Sequence, residues 1–497
     1  MRMALPIPMR MGTTSMRKLL LASAAALLFS VPAMAQQYYT AYPLGSTPTG
    51  SEILGPVSQG GVSKTFSFSS IVGQTPVIPK GATNSFGLPA LLSQVYVAPD
   101  WFKATTDGTD DTPSINRAIT SACASGAKVQ FFGRTYNITA PISVSCHVNM
   151  AGVGFAEPAG SAIAYGTVLH LVYSAAFNMT DAIVFNGNPT AGSIVSDLAI
   201  TEDQPAIATG WAPNPYGYVL SAQSIGGGMT FQNILCMNCS YGIKAHISGR
   251  TVIRDFRGQF FNNEIYGDKN YDSSTIDNAR NWPFWSQSVP VLTYQLANLD
   301  TFILGREDDL QSSNLFTYGA RSGLRLITTA AEGTHLGGSA TMIHIGFAKF
   351  ESCQWGLWPA LVPTYFDEGS MRIDFYSFQG QSPIASGVAQ IAGAAAIRQD
   401  GWQTQISIGL LKADFIDANL IDNPSTTGAT NFVVDQAFLN LSHGSNTIAL
   451  LNAPTEPSAL QIGTNPQIYS PSSVTLRSRT VGSVSTSVVS YPDLNPR

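Results

Sequence analysis

Asp107-Gly108-Thr109-Asp110-Asp111-Thr112-Pro113 opens a dense run of local signals. Apolar residues follow at Ile115, Ala118, Ile119, Ala122 and Cys123, a helical spacing, and the run stops at Ser125-Gly126. An Asp cap, a proline in the first turn and a glycine past the end bracket one helix over residues 111–125. Val129-Gln130-Phe131-Phe132 and Gly133-Arg134-Thr135-Tyr136-Asn137-Ile138 then read as two short strands around a turn. A helix N-terminus, with its partial positive charge, accounts for Asp107, Asp110 and Asp111 without calcium or catalysis.

Downstream, short alternating strands recur at 194–200, 229–234, 251–256, 274–278, 342–347, 372–375 and 405–408, separated by polar and glycine-bearing turns. Spacings of roughly 20 to 35 residues fit the coils of a solenoid. A β-sandwich would also supply short strands, but not one leading helix and so long a chain in a single domain. The single helix then has a physical purpose, because a solenoid buries each face only against its neighbours and must cover its open end. Charged residues are only 11% of the chain, and Ser, Thr, Asn, Gln and Gly take their place, which favours an all-β fold.

The order of acidic turn, single helix, strand and Gly-x-Tyr turn, over roughly residues 96–155, resembles the N-terminal cap of the pectate-lyase-like superfamily, which includes pectate lyase 3 and glycoside hydrolase family 28-related proteins. The resemblance implies a single-stranded right-handed parallel β-helix with a capping helix, acting on or binding polysaccharide. The Gln59-Gly60-Gly61-Val62 run is similar to an element in the necks of phage tail fibres and tailspikes. Asn281-Trp282-Pro283-Phe284-Trp285 and Leu304-Gly305-Arg306-Glu307-Asp308 are similar to segments of bacterial relatives and phage tailspike β-helices. Tailspikes are commonly trimers that cleave surface polysaccharide, so this likeness implies a polysaccharide partner and a homotrimer.

Met16-Arg17-Lys18, the apolar run from Leu19 to Phe29 and Ala33-Met34-Ala35 read as a secretory leader over 1–35 cleaved after Ala35. Its apolar run is shorter than the roughly 20 residues that span a bilayer, and no membrane span is expected after cleavage. Residues 36–95 read as a Gly/Ser/Pro-rich arm, 96–450 as the β-helix and 451–497 as a C-terminal coil or tail. A formal net charge of −5 without a basic run argues against nucleic acid. In an oxidising compartment that permits disulfides, five cysteines leave at least one unpaired. Cys123 and Cys146 are spaced to pin the cap to the first coil, and Cys236-x-x-Cys239 reads as buried thiols or a local bridge. No metal or cofactor is expected.

Carboxylates and aromatics crowd one section, 262–285. Glycoside hydrolysis uses two carboxyls in different protonation states, and Glu264, Asp268 and Asp272 are the catalytic candidates, with Asp268 and Asp272 foremost. Trp282 and Trp285 are the sugar-stacking candidates. In a second cluster Arg306 is a carboxylate clamp, and Asp308 and Asp309 further acids or binding groups. The polygalacturonase-type catalytic set does not transfer, because Asp308-Asp309 and His443-Gly444 lie several coils apart and its other motifs are absent; His443 reads as a turn residue. Arg254 beside Asp255 reads as a surface ion pair. A hydrolase is the first expectation, a polysaccharide lyase the second, and a non-catalytic polysaccharide-binding or surface structural protein the third.

Overall fold

In the computed structural model, residues 95–158, 162–360 and 369–380 are described continuously, and the rest of the chain by separate strands and short pieces. The leader expected over residues 1–35 and His443 lie outside the described residues. Two units form, Met1–Pro89 and Ala90–Arg497. In the first, Ile53–Gln59 pairs antiparallel with Val62–Ser67, flanking Gly60-Gly61, and Pro76–Val77 pairs with Phe86–Gly87.

The second unit is a right-handed parallel β-helix. Each full coil crosses three parallel sheets, and inward columns of like residues stack up each one. In the first sheet Val195, Phe231, Ile253 and Ile276 are successive register partners. In the second, Tyr136, Leu169, Ile200 and Cys236 follow one another. In the third, Ile183, Leu220, Ile243, Ile265, Phe302, Leu324 and Leu357 do so. All are buried in one continuous core. Burying a side chain such as Phe302 contributes roughly 1.5–3 kcal/mol.

The bend from first to second sheet is made by Asp197, Asn233, Asp255 and Asn278, all left-handed with φ between 49° and 59°. Asn and Asp tolerate that conformation best among residues with a Cβ. Their side chains also bond up the stack: Asn233 donates to Asp197 at 2.8 Å, Asn278 to Asp255 at 2.7 Å and Asn314 to Asn278 at 3.2 Å. Arg254 pairs with Asp277 at 3.7 Å, one coil on, and not with Asp255, whose side chain belongs to this ladder.

All the predicted strands form. The step from coil to coil is wider than expected, from 21 residues at Gln130 to Ala151 up to 45 at Asn149 to Ile194. Parallel pairing continues past residue 450, where Ala459–Ile462 joins Asn431–Asn440.

The capping helix α1 spans Thr112–Ser125, has Pro113 in its first turn and ends at left-handed Gly126. It lays Ile115, Ala118, Ile119 and Ala122 over the end of the core. Cys123 and Cys146 form a disulfide, as do Cys236 and Cys239, and Cys353 is a buried free thiol. The aspartates differ from simple helix caps. Asp110 does accept the Thr112 amide, at 2.9 Å. Asp111, buried, instead accepts Lys103, both terminal nitrogens of Arg134 and the Asn137 amide, and Asp107 takes Arg117 and the Ala104 amide. Asp111 therefore ties the cap to the first coil rather than to its own helix. No helix among the described residues is long and apolar enough to cross a membrane.

Removing one partner of a buried ion pair typically costs about 3–5 kcal/mol. Asp111→Ala is expected to lose about 3 kcal/mol, discounted for the partial exposure of Arg134 and Lys103, read from urea unfolding; Asp107→Ala, at a more open site, loses less.

Candidate functional site

Residues alternate in and out along each strand, so every inward column of the third sheet has an outward neighbour. One outward column runs Ser221, Lys244, Tyr266, Ile303, Arg325, Trp358 through successive register partners. Beside it runs Gln223, His246, Asp268. Connections edge this face. Segments 203–217 and 282–299 enter from the second sheet, the latter carrying helix α2, Val289–Asn298. Trp211, Phe261, Val291, Trp285 and Tyr294 pack these segments together. At the other edge, residues 328–341 leave toward the first sheet as a small hairpin, with mutual backbone bonds between Thr329 and Gly338 and between Glu332 and His335.

The floor is aromatic at its start. Tyr218 lies 5.1 Å from Tyr241 and 6.1 Å from Tyr266, with the Lys244 ammonium 5.8 Å over its ring and 3.7 Å from Asp181. Farther along, Arg321 and Arg325 share the Asp300 carboxylate and both lie over Trp358, whose Nε1 donates to Asp400 at 2.8 Å.

Between them sits the densest charge cluster. Asp268 Oδ2 is 2.7 Å from Lys269 Nζ and 3.6 Å from His246 Nε2, while Oδ1 accepts the Arg306 amide at 3.1 Å and the Thr329 hydroxyl at 2.7 Å. Glu332, on the hairpin, reaches the same two side chains from above, 3.0 Å from His246 Nε2 and 3.6 Å from Lys269 Nζ. Two carboxyls thus share one ammonium and one imidazole. Glu332 is 58% exposed and Asp268 only 2%, so they meet solvent very differently. Burial pushes the His246 pKa below the ordinary histidine range, Glu332 and Asp268 partly opposing it, which favours a neutral ring.

The corner after this sheet is strained. Ser224, Ile247 and Lys269 occupy equivalent positions in successive coils, and all are left-handed, with φ 56°, 55° and 56°. For β-branched Ile247 that conformation costs on the order of 1–3 kcal/mol. It folds Lys269 back onto its own neighbour Asp268.

Of the residues singled out from sequence, Asp268, Arg306 and Asp308 come together here. Arg306 donates to Asp308 at 3.0 Å and to the hairpin carbonyl of Gly337 at 3.1 Å, and stacks over Tyr271, so its guanidinium holds the hairpin rather than standing open as a clamp. Asp272 is partly exposed and ion-paired with Arg250, outside the cluster, and the Ser273 amide, with Arg250, lowers its pKa. Glu264 is wholly buried, in register with Gly242 on the core side where Phe256 and Phe260 lie. It cannot meet a glycan there. Asp309 faces a groove of about 460 Å³ on the outside of the first sheet, with Gln311, His344 and Arg372. Trp282 and Trp285 do not form one platform: Trp285 packs with Trp211 and Phe261, while Trp282 lies against Phe316 and Tyr318 on the second sheet.

Sequence reasoning missed His246, Lys269 and Glu332. The coil step was a usable signal, since His246 lies one 22-residue coil before Asp268, as Ser248 does before Asn270. Nothing local marked Glu332, whose position depends on a hairpin.

No family model matches the chain, and no curated protein matches it. Among solved structures it is similar to a double mutant of the tailspike protein of E. coli bacteriophage HK620, with TM-score 0.51, 12% identity, and coverage of 82% of this chain and 73% of that one. A mutant of the same tailspike in complex with a hexasaccharide gives TM-score 0.50 and 11% identity over 83% of this chain and 86% of that one. At such identity the likeness is one of fold.

Beneath the cluster, burial raises Glu307 to about 8, the Asn270 amide opposing and Asp268 and Asp308 adding. Burial likewise pushes Glu202 and Glu264 well up. A carboxyl raised on folding binds more protons folded than unfolded, so its stabilisation is full below the unfolded value of 4.5 and fades as pH climbs through about 8. Melting temperature is accordingly expected to fall from pH 5 to pH 8, Glu307 supplying up to about 1.4 kcal/mol per pH unit. Glu307→Gln, which mimics the neutral acid, should flatten that profile in calorimetry.

Proposed function

We propose that this protein recognises a polysaccharide along the outer face of the third sheet and hydrolyses it beside Glu332 and Asp268. The observation that carries the proposal is the pair of carboxyls sharing Lys269 and His246 at the end of a tyrosine floor. A repeating polymer suits a repeating surface, and aromatic rings with interleaved hydrogen-bonding groups suit sugar rings. The hexasaccharide-bound tailspike of similar fold supports a glycan as the substrate class by analogy.

Hydrolysis needs one group that gives a proton to the leaving oxygen and one carboxylate facing the developing positive charge or the attacking water. Glu332, open to solvent and bonded to a neutral imidazole, takes the first role, with His246 as the route for its proton. Asp268, fixed by the Lys269 ammonium, the Arg306 amide and the Thr329 and Tyr266 hydroxyls, takes the second. The leader at 1–35 would deliver the enzyme outside the cytoplasm, where such polymers are met.

The test incubates purified protein with bacterial and plant polysaccharides, following reducing ends and the ultraviolet absorbance of unsaturated products. Wild type is expected to release reducing ends without absorbance. Glu332→Gln should lose about 10²–10⁴-fold in rate with binding kept, and Tyr266→Ala should weaken binding. Ends with absorbance would make it a lyase; binding without cleavage, a recognition protein; neither binding nor cleavage would end the proposal.

A further inference from the structure

The outer face of the second sheet carries a different pattern. Its central outward column runs Arg257, Arg280, Phe316, Lys349, Ser377, Lys412, Phe438 through successive register partners. Trp282 and Tyr318 flank it, with ring centroids 5.0 Å apart, and Phe438 is 47% exposed. Arg280 is exposed, and its guanidinium lies 5.5 Å over Trp282 and 5.2 Å over Phe316. Among the described arginine side chains it alone has no carboxylate of the described residues within ion-pair distance. Arg257 and Lys349, on either side, pair with Glu157 and Glu351.

A stacked guanidinium keeps its in-plane N–H donors, and those donors fit the oxygens of a carboxylate or sulfate. Aromatic faces beside it fit sugar rings. We infer that this face is a second glycan-binding surface, separate from the third-sheet site, and that it takes an anionic polysaccharide, with Arg280 holding the charged substituent and Trp282 stacking on the ring that bears it. The stack of coils would let one polymer run along Arg257, Arg280 and Lys349.

The matched probes are dextran sulfate and unmodified dextran of equal length, with affinities measured by calorimetry across a salt series. Wild type is expected to bind the sulfated chain at least tenfold more tightly, with affinity falling as salt rises. Arg280→Ala should lose that tenfold, as should Trp282→Ala. Arg254→Ala, the same charge change on the first sheet, should lose nothing. Equal binding of the two dextrans, or equal losses in Arg280→Ala and Arg254→Ala, would overturn the inference. So would a change in sedimenting mass on Arg280→Ala, which would make the face a contact between copies. None of these outcomes depends on cleavage at Glu332.

Discussion

Everything in the second unit depends on one condition: each coil can bury its inner face only against the coil before and the coil after it. A column such as Ile243, Ile265, Phe302, Leu324 and Leu357 is therefore a single object contributed by five distant stretches of chain. Register is set by this stacking, because a slip of one residue would turn every inward side chain outward. The Asn and Asp ladder at the bend adds a second lock, with a left-handed residue and a side-chain hydrogen bond at the same place in consecutive coils.

Because the core fixes the strands, variation collects in the connections. Those at 203–217, 282–299 and 328–341 border the third sheet and carry Trp211, Trp285 and Glu332. The catalytic proposal thus joins a rigid strand residue, Asp268, to a group borne on a loop, while the second-sheet face at Arg280 rests on strand register, with Trp282 just past the end of its strand.

Much of the fold was legible because its signals are local. The helix at 112–125 is punctuated by Asp, Pro and Gly, and strands such as Thr404–Asp414 alternate plainly. Sidedness was harder. Glu264 looked like an available acid because carboxylates are rarely buried, yet it stands in the core register of Gly242. Trp282 and Trp285 are close in sequence, but the chain turns from the second sheet into a connection between them, so they serve different surfaces. Asp111 was read from its place before a helix, whereas its four donors come from before the helix and from the strand after it. In each case the deciding contact lies a coil or a loop away.

The hairpin at 328–341 bonds mainly to itself and to Asp268, Arg306 and Tyr271. Of its residues only Ala340 joins the apolar core that holds the solenoid together. The proposed site is thus written in two kinds of sequence, His246 and Asp268 fixed by coil register and Glu332 carried by a connection, so an exchange of the hairpin's few residues would replace one half of the pair and leave the strand-borne half in place.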